Sequence, residues 1–177
     1  MDSLQFCVQV ATWIFLYILH SRTLRRAEIS RLKEQIVDSL SSYPAWLILI
    51  LNKEKISISD VENYVASAIT RLDFQSENLN SYGKCQIFPT ADLAELASIE
   101  INKQHLTSVS DKSRIERIAF DITSDLIENT EISYAKRMHK DNSIKMLFNE
   151  YNPELKGIIC MLLILNMSYS LVKILFT

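Results

Sequence analysis

Both ends of this chain are long apolar runs, and any fold it adopts has to shelter them from water. Leu4 to His20 reads LQFCVQVATWIFLYILH, and Gly157 to Thr177 reads GIICMLLILNMSYSLVKILFT with the single charge of Lys173. A helix lying on a soluble protein keeps a polar stripe along its whole length. Trp13 to Leu19 and Ile158 to Leu165 are apolar all round. The first run has 17 residues and the second 21. A hydrocarbon core of about 30 Å needs roughly 20, so both are expected to span a membrane as helices, the first only just. Asn152 and Pro153 supply a helix start ahead of the second run. The alternative, two core helices buried in a larger assembly, leaves the missing polar stripe unexplained. Cleavage of the first run as a signal peptide is not expected. Met1, Asp2 and Ser3 precede it without a positive charge, and no small-residue cleavage site follows.

The flanking charges give an orientation. Arg22, Arg25, Arg26, Arg31 and Lys33 follow the first run, and Lys136, Arg137, Lys140, Lys145 and Lys156 precede the second. Basic residues are retained on the cytoplasmic side, so the middle of the chain is expected in the cytoplasm and both termini outside. The expected organisation is residues 1–21 as the first transmembrane helix, 22–152 as a cytoplasmic helical bundle and 153–177 as the second. The fold class is then all-α, as a multi-pass protein of the inner membrane.

Polar residues inside the two runs share a spacing. Gln5, Gln9 and Thr12 stand at i, i+4 and i+7, as do Asn166, Ser170 and Lys173, with Ser168 off that face. Counted from the chain ends, Gln9 and Thr12 lie about 9 and 14 Å deep, and Ser170 and Asn166 about 10 and 16 Å. Such groups in hydrocarbon either hold helices together or line a seam between several copies, open to water or ions. These six residues are the candidate site; the seam reading needs several copies, and a homo-oligomer in the bilayer is expected.

The middle reads as helices. Leu24, Ile29, Leu32, Ile36 and Leu40 follow helical spacing, and that helix is expected to stop near Ser41-Ser42-Tyr43-Pro44. Ala45 to Leu51 (AWLILIL) is a third apolar run, too short to span, and reads as a core or interfacial segment. Ser59 and Asp60 resemble an N-cap before Val61, Tyr64, Val65, Ala68 and Leu72; Asn78 to Pro89 reads as a loop. Thr90 should cap a helix with Leu93, Leu96, Ala97 and Ile101 inward. Ser110 or Asp111 should begin another, burying Ile115, Ile118, Ala119, Ile122 and Leu126, with Lys112/Glu116 and Arg117/Asp121 on its wet face. Ile144, Leu147, Phe148 and Tyr151 suggest a last short helix.

Little here suggests catalysis. Two glycines cannot build a phosphate loop, and His20, His105 and His139 stand in no metal spacing. Cys7, Cys85 and Cys160 form no C-x-x-C pair and no disulfide framework. Asp121, Asp125 and Glu128 share a helix face, which reads as solvated or as a docking surface. With 19 Lys+Arg against 21 Asp+Glu, no basic excess points to nucleic acid. No enzyme activity and no cofactor are expected.

The two terminal segments, Leu4–His20 and Gly157–Thr177, with the basic flanks quoted above, give the chain an architecture that resembles the two-transmembrane effectors of bacterial anti-phage defence systems, retron-associated ones especially. That resemblance implies an abortive-infection effector held silent by a reverse transcriptase–RNA complex, which permeabilises the inner membrane on infection. The expected partners are the lipid bilayer, further copies of the chain, and a cytoplasmic regulatory protein or ribonucleoprotein. The other reading is a passive anchor or scaffold that presents the cytoplasmic helices.

Overall fold

The computed structural model describes residues 3–102, 108–141 and 157, the side chains of residues 3–8 and of Ala11 and Asp141 excepted. Among them every regular element is a helix, as the all-α expectation requires. In chain order these are α1 (Ser3–Leu51), α2 (Ile58–Gly83), a 3-10 turn (Thr90–Asp92), α3 (Leu93–Ala97) and α4 (Val109–Asp141). The chain divides into two compact units, one of Met1–Leu24 with Met138–Thr177 and one of Arg25–Arg137. No helix among the described residues is long and apolar enough to cross a membrane. The apolar opening of α1, Leu4 to His20, measures about 26 Å at 1.5 Å per residue. The expected second span, and the short helix expected at Ile144–Tyr151, lie outside the described residues apart from Gly157.

In the Arg25–Arg137 unit, α1 does not stop at Pro44. It continues through the proline to Leu51, so Ala45–Leu51 is its last two turns and not a separate segment. Proline lacks the N–H that should bond to the Leu40 carbonyl, and its ring presses on that turn, at a cost of roughly 3 kcal/mol. Ser39, Ser41 and Ser42 also turn their hydroxyls back, donating to the carbonyls of Gln35, Asp38 and Ser39 at 2.8, 3.0 and 3.1 Å. Burial outweighs these penalties. Ile29, Leu32, Ile36, Leu40, Tyr43, Leu47, Ile50 and Leu51 are all buried, and their three-and-four spacing passes through the proline in register. Breaking the helix there would unseat Leu47, Ile50 and Leu51. Leu24, expected in this stripe, is exposed. Replacing Pro44 by alanine restores the missing bond, and we expect about 2 kcal/mol of added stability in urea unfolding, since loss of the buried ring offsets part of the gain. A destabilised variant would mean that the packing needs the proline's shape.

The start of α2 is also corrected. Ser57 is its N-cap, not Ser59 or Asp60: the Asp60 N–H donates to Ser57 Oγ at 3.1 Å, and the Ser57 N–H donates back to Asp60 Oδ2 at 3.1 Å. This reciprocal box satisfies two N–H groups that a helix start leaves open. The two hydrogen bonds from Ser57 hold the Asp60 carboxyl below its usual range. Val61, Val65 and Leu72 are buried as expected, whereas Tyr64 is half out and carries Lys53 Nζ 4.5 Å above its ring.

Most of the expected loop at Asn78–Pro89 is helix, because α2 continues to Gly83. Leu79 is fully buried, and Asn80 uses its side chain to hold the return strand of chain in place. Asn80 Oδ1 accepts from the N–H groups of Ile87 and Phe88 at 2.7 and 2.9 Å, and Asn80 Nδ2 donates to the Phe88 carbonyl at 3.0 Å. Ile87 and Phe88 are thereby pressed into the core. Lys84 takes the left-handed conformation (φ 50°) that ends the helix, a place where glycine is usual. The glycine sits one residue earlier for a steric reason: a Cβ on Gly83 would lie 2.5 Å from Ile87 Cδ1.

Thr90 does not cap a helix; it opens the 3-10 turn, and α3 is a single turn that buries Leu93 and Leu96 but neither Ala97 nor Ile101. α4 begins at Val109, where the Asp111 N–H donates to Ser108 Oγ at 3.3 Å. Ile115, Ala119 and Leu126 are buried, Ile122 is half-buried and Ile118 is exposed. The buried face then continues with polar residues, Thr123, Thr130 and Arg137, one every seven positions. Thr123 and Thr130 donate to the carbonyls of Phe120 and Leu126 at 3.1 and 2.6 Å, which makes their burial tolerable. α1 and α4 run antiparallel. Lys33 Nζ meets Glu131 Oε1 at 2.6 Å and lies over the Tyr134 ring, and Lys112 Nζ donates to Asn52 Oδ1 at 2.7 Å.

Candidate functional site

The expected polar seam is only partly within view. Gln5, Gln9 and Thr12 belong to α1; Gln9 and Thr12 are exposed, and the Gln5 side chain lies outside the description. Asn166, Ser170 and Lys173 lie outside the described residues. On the turns that follow Thr12, α1 exposes Trp13, Phe15, Leu16 and Tyr17, at 73%, 61%, 52% and 66% of their surface, while Ile18 is buried. Trp13, Leu16 and Tyr17 share one face of the helix and Phe15 lies on the other, and exposed apolar side chains of this size are the kind that mark interaction surfaces.

The most developed polar arrangement is elsewhere, at the C-terminal end of α2. A helix end presents carbonyls without partners and a partial negative charge. Here two arginines from different helices answer it. Arg25 of α1 donates through Nε and Nη2 to the Tyr82 carbonyl at 3.1 and 3.0 Å. Arg137 of α4, only 8% exposed, donates through Nε to the adjacent Gly83 carbonyl at 2.9 Å. In the sequence both stand among the basic flanks. They are flank charges that also pin three helices together. The spacing of polar residues on α4's buried face was the available signal for Arg137; nothing in the sequence paired either arginine with α2.

A second polar feature lies between α1 and α2, where an open groove of about 420 Å³ is lined by Ser39, Ser42, Tyr43, Trp46, Tyr64, Ser67, Arg71 and Gln75 among others. Tyr43 and Trp46 stack at 5.4 Å between ring centroids. The Tyr43 hydroxyl and Gln75 Oε1 are both buried without a hydrogen-bond partner. Burial pushes the Tyr43 hydroxyl up to about 12. Because the folded state holds this proton more tightly than the unfolded chain does, its contribution is intact below about pH 10. It is lost as pH rises toward 12, by about 2 kcal/mol at the upper end. Tyr43→Phe should therefore flatten the alkaline limb of the stability profile. At neutral pH it should be stabilising by about 1 kcal/mol, since it removes an unpaired buried hydroxyl. Urea unfolding of both proteins across the alkaline range checks this; an unchanged limb would mean that Tyr43 finds a partner in solution.

Among the described residues no group of three or more His, Cys, Asp or Glu is placed to hold a metal. His20, His139, Asp121, Asp125 and Glu128 are exposed, and Cys85 is an exposed free thiol. His105 and Cys160 lie outside the described residues, as does the side chain of Cys7. Compared with known protein families, curated proteins and solved structures, the chain matches none.

Proposed function

We propose that this chain is a membrane-held effector: terminal apolar segments sit in the inner membrane, the helical middle lies in the cytoplasm, and activation perturbs or permeabilises the bilayer. The observation that carries the reading is the opening of α1, without Asp, Glu, Lys or Arg from Leu4 to His20, helical throughout, with Trp13, Phe15, Leu16 and Tyr17 exposed. Its 26 Å or so falls short of the hydrocarbon core, and a short span is accommodated by thinning the bilayer or by assembling copies. Both responses suit a protein whose work is to weaken a membrane. Retron-type anti-phage defence, with a ribonucleoprotein as silencing partner, is the biological setting that the two-segment architecture suggests.

The second reading, a passive anchor presenting the helical unit to another protein, is favoured by one feature: α2 and α4 leave Phe74 and Phe120 exposed, at 65% and 58%. Induced expression in bacteria with a membrane-impermeant dye separates the two. The effector reading expects the chain in the membrane fraction, dye entry and arrested growth, with Asn166→Leu or Lys173→Leu altering the entry. Cells that keep growing and exclude dye, with the chain still in the membrane fraction, would leave the scaffold.

A further inference from the structure

Two polar atoms at the groove between α1 and α2 are left unused by the fold. The Tyr43 hydroxyl and Gln75 Oε1 are buried without a hydrogen-bond partner, and Tyr43 as a whole is 3% exposed. Native folds carry few such atoms, because each is costly to bury. One can donate and the other accepts: burial keeps the Tyr43 hydroxyl protonated through the neutral range, and an amide oxygen is an acceptor. The lining adds the indole of Trp46, the ring of Tyr64 and the guanidinium of Arg71. Arg71 is exposed and has no ion pair or hydrogen bond among the described residues. Among those residues no Asp or Glu lines the groove; Asp38, one turn before Ser42, stands outside it. Lys53 Nζ, 4.5 Å above the Tyr64 ring, adds a second positive charge at that wall. The whole arrangement belongs to the Arg25–Arg137 unit.

We propose that this groove binds a small planar anion, a heteroaromatic ring carrying a carboxylate or phosphate. Arg71 takes the anion, the ring stacks on Trp46, and its edge accepts from the Tyr43 hydroxyl and donates to Gln75 Oε1. A ring with a carbonyl or bare nitrogen beside an N–H supplies the acceptor and the donor that the two buried atoms lack. The groove's volume of about 420 Å³ lies within the roughly 300–1,000 Å³ of small-molecule sites, which also combine aromatic walls with a few polar groups. Neither buried atom meets solvent in the open groove. Binding therefore includes a swing of the half-buried Trp46 ring away from Tyr43, against which it packs at 5.4 Å. Such a ligand gives the helical unit an input of its own, whatever phase the terminal segments occupy.

Trp46 is its own reporter once Trp13, the other tryptophan, is replaced by phenylalanine. The full chain, purified in detergent, is titrated with orotate and the four common nucleoside monophosphates. Inorganic phosphate, uracil and the matching nucleosides are the controls, and Trp46 fluorescence and melting temperature are followed. At least one ringed anion should quench Trp46 saturably and raise the melting temperature. Phosphate, which has no ring, and the uncharged rings should bind at least about tenfold more weakly. Arg71→Gln should weaken the anion about tenfold and leave its uncharged ring unaffected. Tyr43→Phe and Gln75→Leu should each weaken both about fivefold. Tyr43→Phe then yields a more stable fold and a poorer binder, a pairing that a merely structural hydroxyl would not show. No quenching by any ringed anion at millimolar concentration would overturn the site. Quenching that Tyr43→Phe and Gln75→Leu leave unchanged would also overturn it, since the buried atoms would then meet water and not the ligand. Phosphate binding as tightly as the ringed anions would leave an anion site alone and overturn the proposal.

Discussion

Asn80→Ala should cost about 3–5 kcal/mol, the largest loss expected from any single polar substitution in the chain. The Asn80 amide satisfies two N–H groups and one carbonyl of Ile87 and Phe88, whose side chains are 1% and 0% exposed. Each buried backbone group left without a partner costs roughly 1–3 kcal/mol, and no nearby element offers a ladder to replace it. Asn80→Asp keeps both acceptor bonds but sets a carboxylate oxygen against the Phe88 carbonyl in place of the donated bond, so its loss should be smaller than that of alanine. Urea unfolding of the two variants separates them. Equal losses would show that the donation to the Phe88 carbonyl, not the two accepted bonds, holds the turn.

Arg137→Ala ranks second, at about 3 kcal/mol. It removes a charge-assisted bond, strips a buried aliphatic stem of its packing, and leaves the carbonyl of the buried Gly83 without this donor. Arg25→Ala should cost nearer 1 kcal/mol, because Arg25 is half-exposed and water can take over at Tyr82. Lysine at 137 should recover little, since a compact ammonium lacks the planar fork. Hydrogen exchange at the last turn of α2 is the sharper readout: protection there should fall in Arg137→Ala and fall less in Arg25→Ala.

How much of this was legible beforehand depended on which physical term dominated locally. Where burial and helical spacing agreed, as at Ile29–Leu40, Val61–Leu72 and Ile115–Leu126, the helices were readable from apolar residues alone. Pro44 misled because a strong local rule was set against a tertiary gain. The clue was the stripe resuming at Leu47 in the same register. The Ser57–Asp60 box was readable as S-x-x-D, but counting back from Val61 placed the start two residues late. Asn78–Gly83 looked like a loop because asparagine, serine and glycine usually make one; here Asn80 bonds onward in the chain rather than to its own turn. On α4 the apolar signal faded after Leu126 while burial continued through Thr130 and Arg137, whose polar groups are satisfied by carbonyls that no sequence pattern names. Of the candidate seam, the structure places the side chains of Gln9 and Thr12, both exposed.

The two ties between α1 and α4 have matched spacing. Lys33 to Asn52 is 19 residues, and Lys112 to Glu131 is also 19, about 28 Å of helix on each side. The pair therefore behaves like a rule laid against its own copy, with the marks in step at both ends. Sliding one helix by a turn would break both ties together and move the Ile36 and Leu40 row off its seat. Parting the helices at one end breaks a single tie and leaves the other as a pivot. Motion between these two helices is thus cheapest as a scissor, and a piston stroke is the costliest form it could take.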